Sequence, residues 1–175
     1  MKINEFTKFN SERISLNILK TTNVSDLFLL RSNNEIVKYV EKQKDATIKD
    51  SLLFLEKINA GIITNKWFYW GIYNNIDDKL IGTICLWQFN EAKTEAEIGF
   101  ELLPTYQGKG FMSEAILPIL NFAFKKLQLH KIIGFTHSKN TKSIKLLAKF
   151  GFKFDKKEGI NSIYHLTNKT INTIS

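Results

Sequence analysis

The stretch Leu102-Leu-Pro-Thr-Tyr-Gln-Gly-Lys-Gly-Phe-Met-Ser113 constrains this chain more than any other. Before it, residues 94–102 (Thr-Glu-Ala-Glu-Ile-Gly-Phe-Glu-Leu) alternate polar and apolar, the period of a strand. After it, residues 114–127 place Ala115, Ile116, Ile119, Leu120, Phe122, Ala123, Phe124 and Leu127 at helical spacing. A strand therefore enters a short loop with two glycines, and a helix leaves it. Glycine lets successive backbone N–H groups face outward together, and the helix start adds the positive end of its dipole. Such a loop is an anion cradle, and phosphate is its natural ligand.

Two familiar phosphate loops do not match. The Walker pattern requires Ser or Thr after Gly-Lys, but Gly110 follows Lys109. The dinucleotide fingerprint requires a third glycine where Ser113 stands. The stretch instead resembles the pyrophosphate loop of GNAT acetyltransferases, Gln/Arg-x-x-Gly-x-Gly/Ala, here Gln107-Gly-Lys-Gly110-Phe-Met112, with Pro104 three residues earlier. Met112 departs from the usual Gly or Ala, but a side chain there leaves the backbone N–H available. A second segment, Asn140-Thr-Lys-Ser143-Ile-Lys-Leu-Leu-Ala-Lys-Phe150-Gly-Phe152, is similar to the next GNAT motif. Asn140 is an N-cap, Ile144, Leu147, Ala148 and the two Phe form a buried stripe, Gly151 stops the helix, and Phe152 begins a strand. The resemblance covers residues 80–155 in detail and the rest in outline.

The resemblance implies acetyl-CoA as co-substrate. In the family the N–H groups of a loop like Gln107, Gly108, Lys109, Gly110, Phe111 and Met112 hold the pyrophosphate, with Ser113 beside them at the helix start. Strand backbone at the level of Leu102 pairs with the pantetheine amides, and a residue like Asn140 holds the pantetheine arm while capping its helix. Many members protonate the departing sulfur with a Tyr after the second motif, yet no Tyr lies between Asn140 and Phe152. Ser143 matches the serine of Asn-x-x-Ser in the branch that acetylates ribosomal-protein N-termini, and its hydroxyl can donate to a thiolate. Glu97 lies near the position where related acetyltransferases place a catalytic glutamate. It is the candidate base; Glu101, which shares its nominal face with Glu95, is the next choice, and solvent is a third.

Acetyl transfer to an amine needs a free amine, a polarised carbonyl and a stabilised leaving thiolate. An α-amine of pKa near 7.8 is roughly a quarter free at pH 7.4, a lysine near 10.4 only about a thousandth. A modest base therefore suffices for an N-terminus. No nucleophile-elbow serine occurs, in keeping with direct transfer. The leading acceptor is a protein N-terminal α-amine of the ribosomal-protein type. The same branch contains enzymes for small amines, antibiotics and amino-acid conjugates, and a catalytically silent CoA-binding module is a rival of another class.

Composition bounds the remainder. A chain of 175 residues, 43% hydrophobic with 14 Phe, can bury a core and is expected to form one domain over residues 1–175, its polar tail (168–175) frayed. The net charge of +8 attracts polyanions, but only Arg13 and Arg31 are arginines and no basic run occurs, so nucleic acid is not the expected ligand. A lone Cys85 excludes an internal disulfide and reads as a small buried residue. His130, His137 and His165 lack metal-ligand spacing, so no metal site is expected. No apolar run reaches membrane-spanning length, no signal-peptide core opens the chain, and the expected compartment is the cytoplasm, as monomer or homodimer.

Strand patterns fall at 13–19, 67–73, 80–89, 94–102, 131–137, 152–156 and 160–167. Helical patterns follow Asn23, Asn33, Thr47 (to about Gly61), Ser113 and Asn140. Residues 131–137 lie between the two motif helices, so a parallel crossover beside 94–102 is expected. The fold class is α/β (α+β): a GNAT-like mixed, mainly antiparallel twisted sheet of about six to seven strands with helices on both faces.

Overall fold

The aromatic run from Phe68 forms strand β3 (Phe68–Asn74) in the computed structural model, which describes residues 8–40 and 43–168. Its side chains alternate between two cores. Phe68, Trp70 and Ile72 enter the main one, and Tyr69 and Tyr73 a smaller one on the opposite face. Two short strands precede it, β1 (Phe9–Asn10) and β2 (Ile14–Asn17), and two antiparallel neighbours follow, β4 (Leu80–Trp87) and β5 (Glu95–Leu102). β6 (Lys131–His137), β7 (Lys153–Glu158) and β8 (Asn161–Thr167) complete an eight-stranded sheet of order β1-β2-β3-β4-β5-β6-β8-β7. Among the described residues only the β5–β6 pair is parallel, as the helix between those strands requires. The sheet has one strand beyond the upper end of the expected six to seven, the two-residue β1, which is too short to show a period.

Helices cover both faces. α1 (Val24–Arg31), α2 (Asn34–Val37) and α3 (Ile48–Ile63) precede the long strands. Leu27 and Leu55 close the smaller core against Leu19, Tyr73 and Leu80. α3 starts in a capping box, Thr47 accepting from the Asp50 N–H while Asp50 accepts from the Thr47 N–H at 2.8 Å, a device worth about 1 kcal/mol. Asn23 flanks α1 but does not cap it. Its Oδ1 accepts from the Lys20 N–H at 3.2 Å and the Tyr73 hydroxyl at 2.9 Å, which ties the start of α1 to β3 instead.

On the other face lie α4 (Phe111–Asn121) and α5 (Thr141–Lys149). α4 begins three residues before the hydrophobic period shows it, directly on the cradle, and passes into a π-helical turn (Phe122–Lys126). That turn presents Phe122 edge-on to Phe68 and Trp70, with ring centroids 5.1 and 5.7 Å away. Such pairs contribute about 0.5–1.5 kcal/mol beyond their area. Gly134 of β6 lets α5 approach, since a Cβ there would sit 2.9 Å from Leu147. The tail expected to fray lies, beyond Asn168, outside the described residues. Among the described residues no helix is long and apolar enough to cross a membrane.

Candidate active site

The parallel ladder between β5 and β6 runs from Glu95 opposite Lys131 to Ile98 opposite Gly134 and then stops. Beyond it, residues 99–102 of β5 pair with β4 alone, and residues 135–137 of β6 pair with β8 alone. The sheet thus parts in its middle, leaving one edge of β5 facing a gap just before the glycine loop. At the end of β5 the Leu102 carbonyl accepts from Gln107 Nε2 at 2.8 Å, which folds the loop back on the strand.

The loop has the shape its glycines suggest. Gly108 (φ 74°) and Gly110 (φ 86°) are both left-handed, where L side chains are strained. A Cβ on Gly108 would meet nothing within 4 Å, so its surface is open. Gly110 is the N-cap of α4 and offers no side chain to the first-turn N–H groups of Phe111, Met112 and Ser113. Met112 buries its side chain in the main core while its N–H stays in that first turn, so the departure from Gly or Ala costs the cradle nothing.

Cations ring this loop. From α5, Lys142 Nζ donates to Gln107 Oε1 at 2.9 Å and Lys149 Nζ to Ser113 Oγ at 3.0 Å. Behind it, Arg13 Nε and Nη2 both donate to Glu114 Oε2, at 2.8 and 2.6 Å, and Nη1 donates to the Lys109 carbonyl at 3.0 Å. Burial pushes the Glu114 carboxyl up, but hydrogen bonds from Ser11 and Arg13 together outweigh it and hold it below its usual value. Sequence reading passed over Arg13, Glu114, Lys142 and Lys149. Arg13 and Glu114 lie a hundred residues apart with no local pattern to join them, whereas the lysines' seven-residue spacing on one helix was a usable signal.

Glu97 stands on the face of β5 opposite α4, in a row that the register continues across the sheet as Trp87, Glu97, Ile133 and His165. Trp87 Nε1 donates to Glu97 Oε1 at 3.2 Å. Burial pushes the Glu97 carboxyl up to about 7, and the indole hydrogen bond opposes part of the rise. The group is thus poised to take a proton near neutral pH. Glu101 lies on the same face opposite Thr83, whose Oγ1 accepts from the Tyr69 hydroxyl at 3.2 Å. Burial first, then the nearby Glu101 charge, raises the Tyr69 phenol well above its usual value and keeps it a proton donor. Phe54 of α3 meets Tyr69 edge-on, and the Arg31 guanidinium covers Phe54 at 3.5 Å while gripping buried Asp45. Cys85 belongs to this face and is half-buried rather than buried, because Gly99 beside it has no side chain to cover it.

Asn140 caps α5 as expected, its Oδ1 accepting from the Ser143 N–H at 3.2 Å, and Gly151 (φ 79°) ends the helix. The cap uses Oδ1 and leaves Nδ2 as a donor. Ser143 sits half-buried in the first turn of α5, across the sheet from Glu97. The two candidate catalytic side chains therefore lie on opposite faces of the sheet. Of the histidines, His137 stacks obliquely on Tyr39 and takes the Lys139 N–H on Nδ1, His165 lies on β8, and His130 is exposed.

Comparison with known proteins identifies the family. Residues 13–153 match the acetyltransferase (GNAT) domain family. An uncharacterized N-acetyltransferase of Bacillus subtilis, YoaA, is 28% identical over 165 residues, 94% of this chain and 92% of that protein. The ribosomal-protein-S5-alanine acetyltransferase of Vibrio fischeri superposes with a TM-score of 0.80 at 22% identity, over 93% of this chain and 97% of that one. The spermidine N-acetyltransferase of Vibrio cholerae, solved with CoA and spermine, superposes with a TM-score of 0.75 at 23% identity, over 90% and 96%.

Proposed function

Because this chain belongs to the GNAT family and is an acetyltransferase, we propose that it moves an acetyl group from acetyl-CoA directly to a primary amine, a protein N-terminal α-amine of the ribosomal-protein type. The observation that carries the reading is the parted β5–β6 pair opening beside an uncapped, doubly left-handed glycine loop. The residues fit the co-substrate. First-turn and loop N–H groups from Gly108 to Met112, flanked by Lys142 and Lys149, suit a pyrophosphate. The edge of β5 near Leu102 and the Asn140 Nδ2 suit the amides of a pantetheine arm. The thioester supplies an activated acetyl carbonyl.

The chain's own groups then have three tasks. Glu97 takes a proton from the ammonium, directly or through one water, leaving the nitrogen lone pair free to attack. As the C–N bond forms and the C–S bond breaks, the nitrogen gives up its second proton to solvent, from which the departing thiolate is protonated, while Ser143 Oγ–H hydrogen-bonds the sulfur as it collects the electron pair. The strand edge and the cap hold the reactants together, which is where most of the acceleration arises.

A second acceptor class has an observation of its own. Glu97 and Glu101 share one face of β5, with Glu95 before them paired to Lys131, and neighbouring carboxylates suit a polyamine. One experiment separates the readings. Thiol release is followed for N-terminal peptides, spermidine, spermine and aminoglycosides, and products are identified by mass spectrometry. A peptide N-terminus acetylated far faster than any polyamine supports the α-amine reading. The reverse order replaces it with the polyamine reading, and no thiol release with any amine overturns both.

A further inference from the structure

We propose that Arg13 is a positioning residue that sets the glycine loop in its anion-binding form before ligand arrives; the inference rests on the reading that this loop takes the pyrophosphate of acetyl-CoA. Arg13 belongs to the turn between β1 and β2, far from the loop in sequence. Its guanidinium nevertheless holds the loop and the start of α4 together. Nη1 donates to the Lys109 carbonyl at 3.0 Å, between the two left-handed glycines. Nε and Nη2 clamp Glu114 in the first turn of α4 at 2.8 and 2.6 Å. The planar group lies 4.5 Å over the Phe111 ring, and Nη2 stands 3.3 Å from where a Gly110 Cβ would be. Ser11 hydroxyl and the Arg13 N–H also donate to Glu114, so the turn and the helix start form one unit.

The consequence follows from peptide planarity. In a trans peptide, C=O and N–H point in opposite directions. Fixing the Lys109 carbonyl toward Arg13 therefore aims the Gly110 N–H away from Arg13, to the ligand side of the loop. Gly110 on its C-terminal side would otherwise let that peptide flip at little cost. The Glu114 carboxylate balances the guanidinium charge, so the clamp acts by geometry rather than by attracting phosphate. Geometry of this kind requires the planar fork, which lysine lacks.

The test uses the intact chain with Arg13→Lys and Arg13→Gln. Acetyl-CoA affinity is measured by calorimetry. Turnover, with the best amine from the acceptor panel, is measured with acetyl-CoA and with the acetyl thioester of N-acetylcysteamine, which has no pyrophosphate. Both variants should bind acetyl-CoA more weakly by on the order of tenfold, the loss of a preorganised loop. Their kcat at saturating acetyl-CoA should stay within about twofold of wild type, and turnover of the truncated thioester should be unchanged. Wild-type affinity in Arg13→Lys would overturn the clamp, since charge alone would then suffice. An equal loss with both thioesters would overturn it too, by showing a general structural defect. A wild-type protein that binds no acetyl-CoA would instead remove the cradle reading beneath it.

Discussion

Replacing Glu97 with Gln should raise stability above neutral pH and lower turnover, and both effects have one cause. Burial pushes the Glu97 carboxyl from 4.5 up to about 7, against the opposing hydrogen bond from Trp87. Between those values the folded protein keeps a proton that the unfolded chain has released. The folded state then binds more protons, so stability falls as pH rises through that window. Below it Glu97 is neutral in both states and carries no penalty; above it a buried charge is retained. At 1.36 kcal/mol per unit the penalty has a ceiling of roughly 3 kcal/mol, and partial solvent access reduces it to about 1–2 kcal/mol. Gln removes the charge, and its amide oxygen can still accept from Trp87. For a chain of this size the gain corresponds to a melting temperature higher by about 3–6 °C at pH 8. Near pH 4 wild type and variant should melt together. Thermal denaturation at pH 4, 6 and 8 without ligand checks this. Identical melting at every pH would refute the burial argument, and a gain as large at pH 4 as at pH 8 would refute its protonation basis. Turnover should move the other way, falling at neutral pH and recovering once the amine loses its proton unaided. That recovery begins near pH 8 for an α-amine and only above about pH 10 for a lysine-type amine. A variant equally slow at every pH would deny Glu97 the role of base.

Trp87→Phe removes the donor that favours ionised Glu97, so the acid limb of the rate profile should move above about 7 by up to about one unit; an unmoved limb would separate Trp87 from the chemistry. Ser143→Ala should cost on the order of tenfold to a hundredfold in kcat with little change in acetyl-CoA affinity, because its donation strengthens as the sulfur gains charge. Unchanged kcat with the true acceptor would take Ser143 out of the mechanism. Asp45→Ala leaves the Arg31 guanidinium, 12% exposed, without its carboxylate, and should destabilise by about 3–5 kcal/mol in urea denaturation. A loss below about 1 kcal/mol would show that Arg31 escapes to solvent. Gly110→Val, at φ 86° and hard against Arg13, should abolish the thermal shift that acetyl-CoA gives the wild type; a preserved shift would place the ligand elsewhere.

Local chemistry was enough for the sequence to determine most of the elements and the cradle. A period of two marked β5, glycines at 108 and 110 marked left-handed backbone, and Asn140 and Gly151 marked the ends of α5, because each signal needs only neighbouring residues. The same locality explains the misses. Asn23 has the right side chain for a cap, but a tyrosine fifty residues away claims it. α4 starts at Phe111, because Met112 extends the buried stripe of Ala115, Ile116 and Ile119 back to the loop. Tertiary structure alone decided three things. The β5–β6 ladder stops after Ile98 while β5 goes on pairing with β4 and β6 with β8, and no pattern in either strand encodes the gap between them. Glu97 was distinguishable from Glu95 and Glu101 only after folding: Trp87 covers it from β4, while Lys131 pairs with Glu95 at 2.9 Å. Arg13 met Glu114 across a hundred residues because β2 joins the sheet beside β3, bringing its turn behind the start of α4. Periodicity reports which face of an element is buried, but which side chains meet across that face is a property of the assembled sheet.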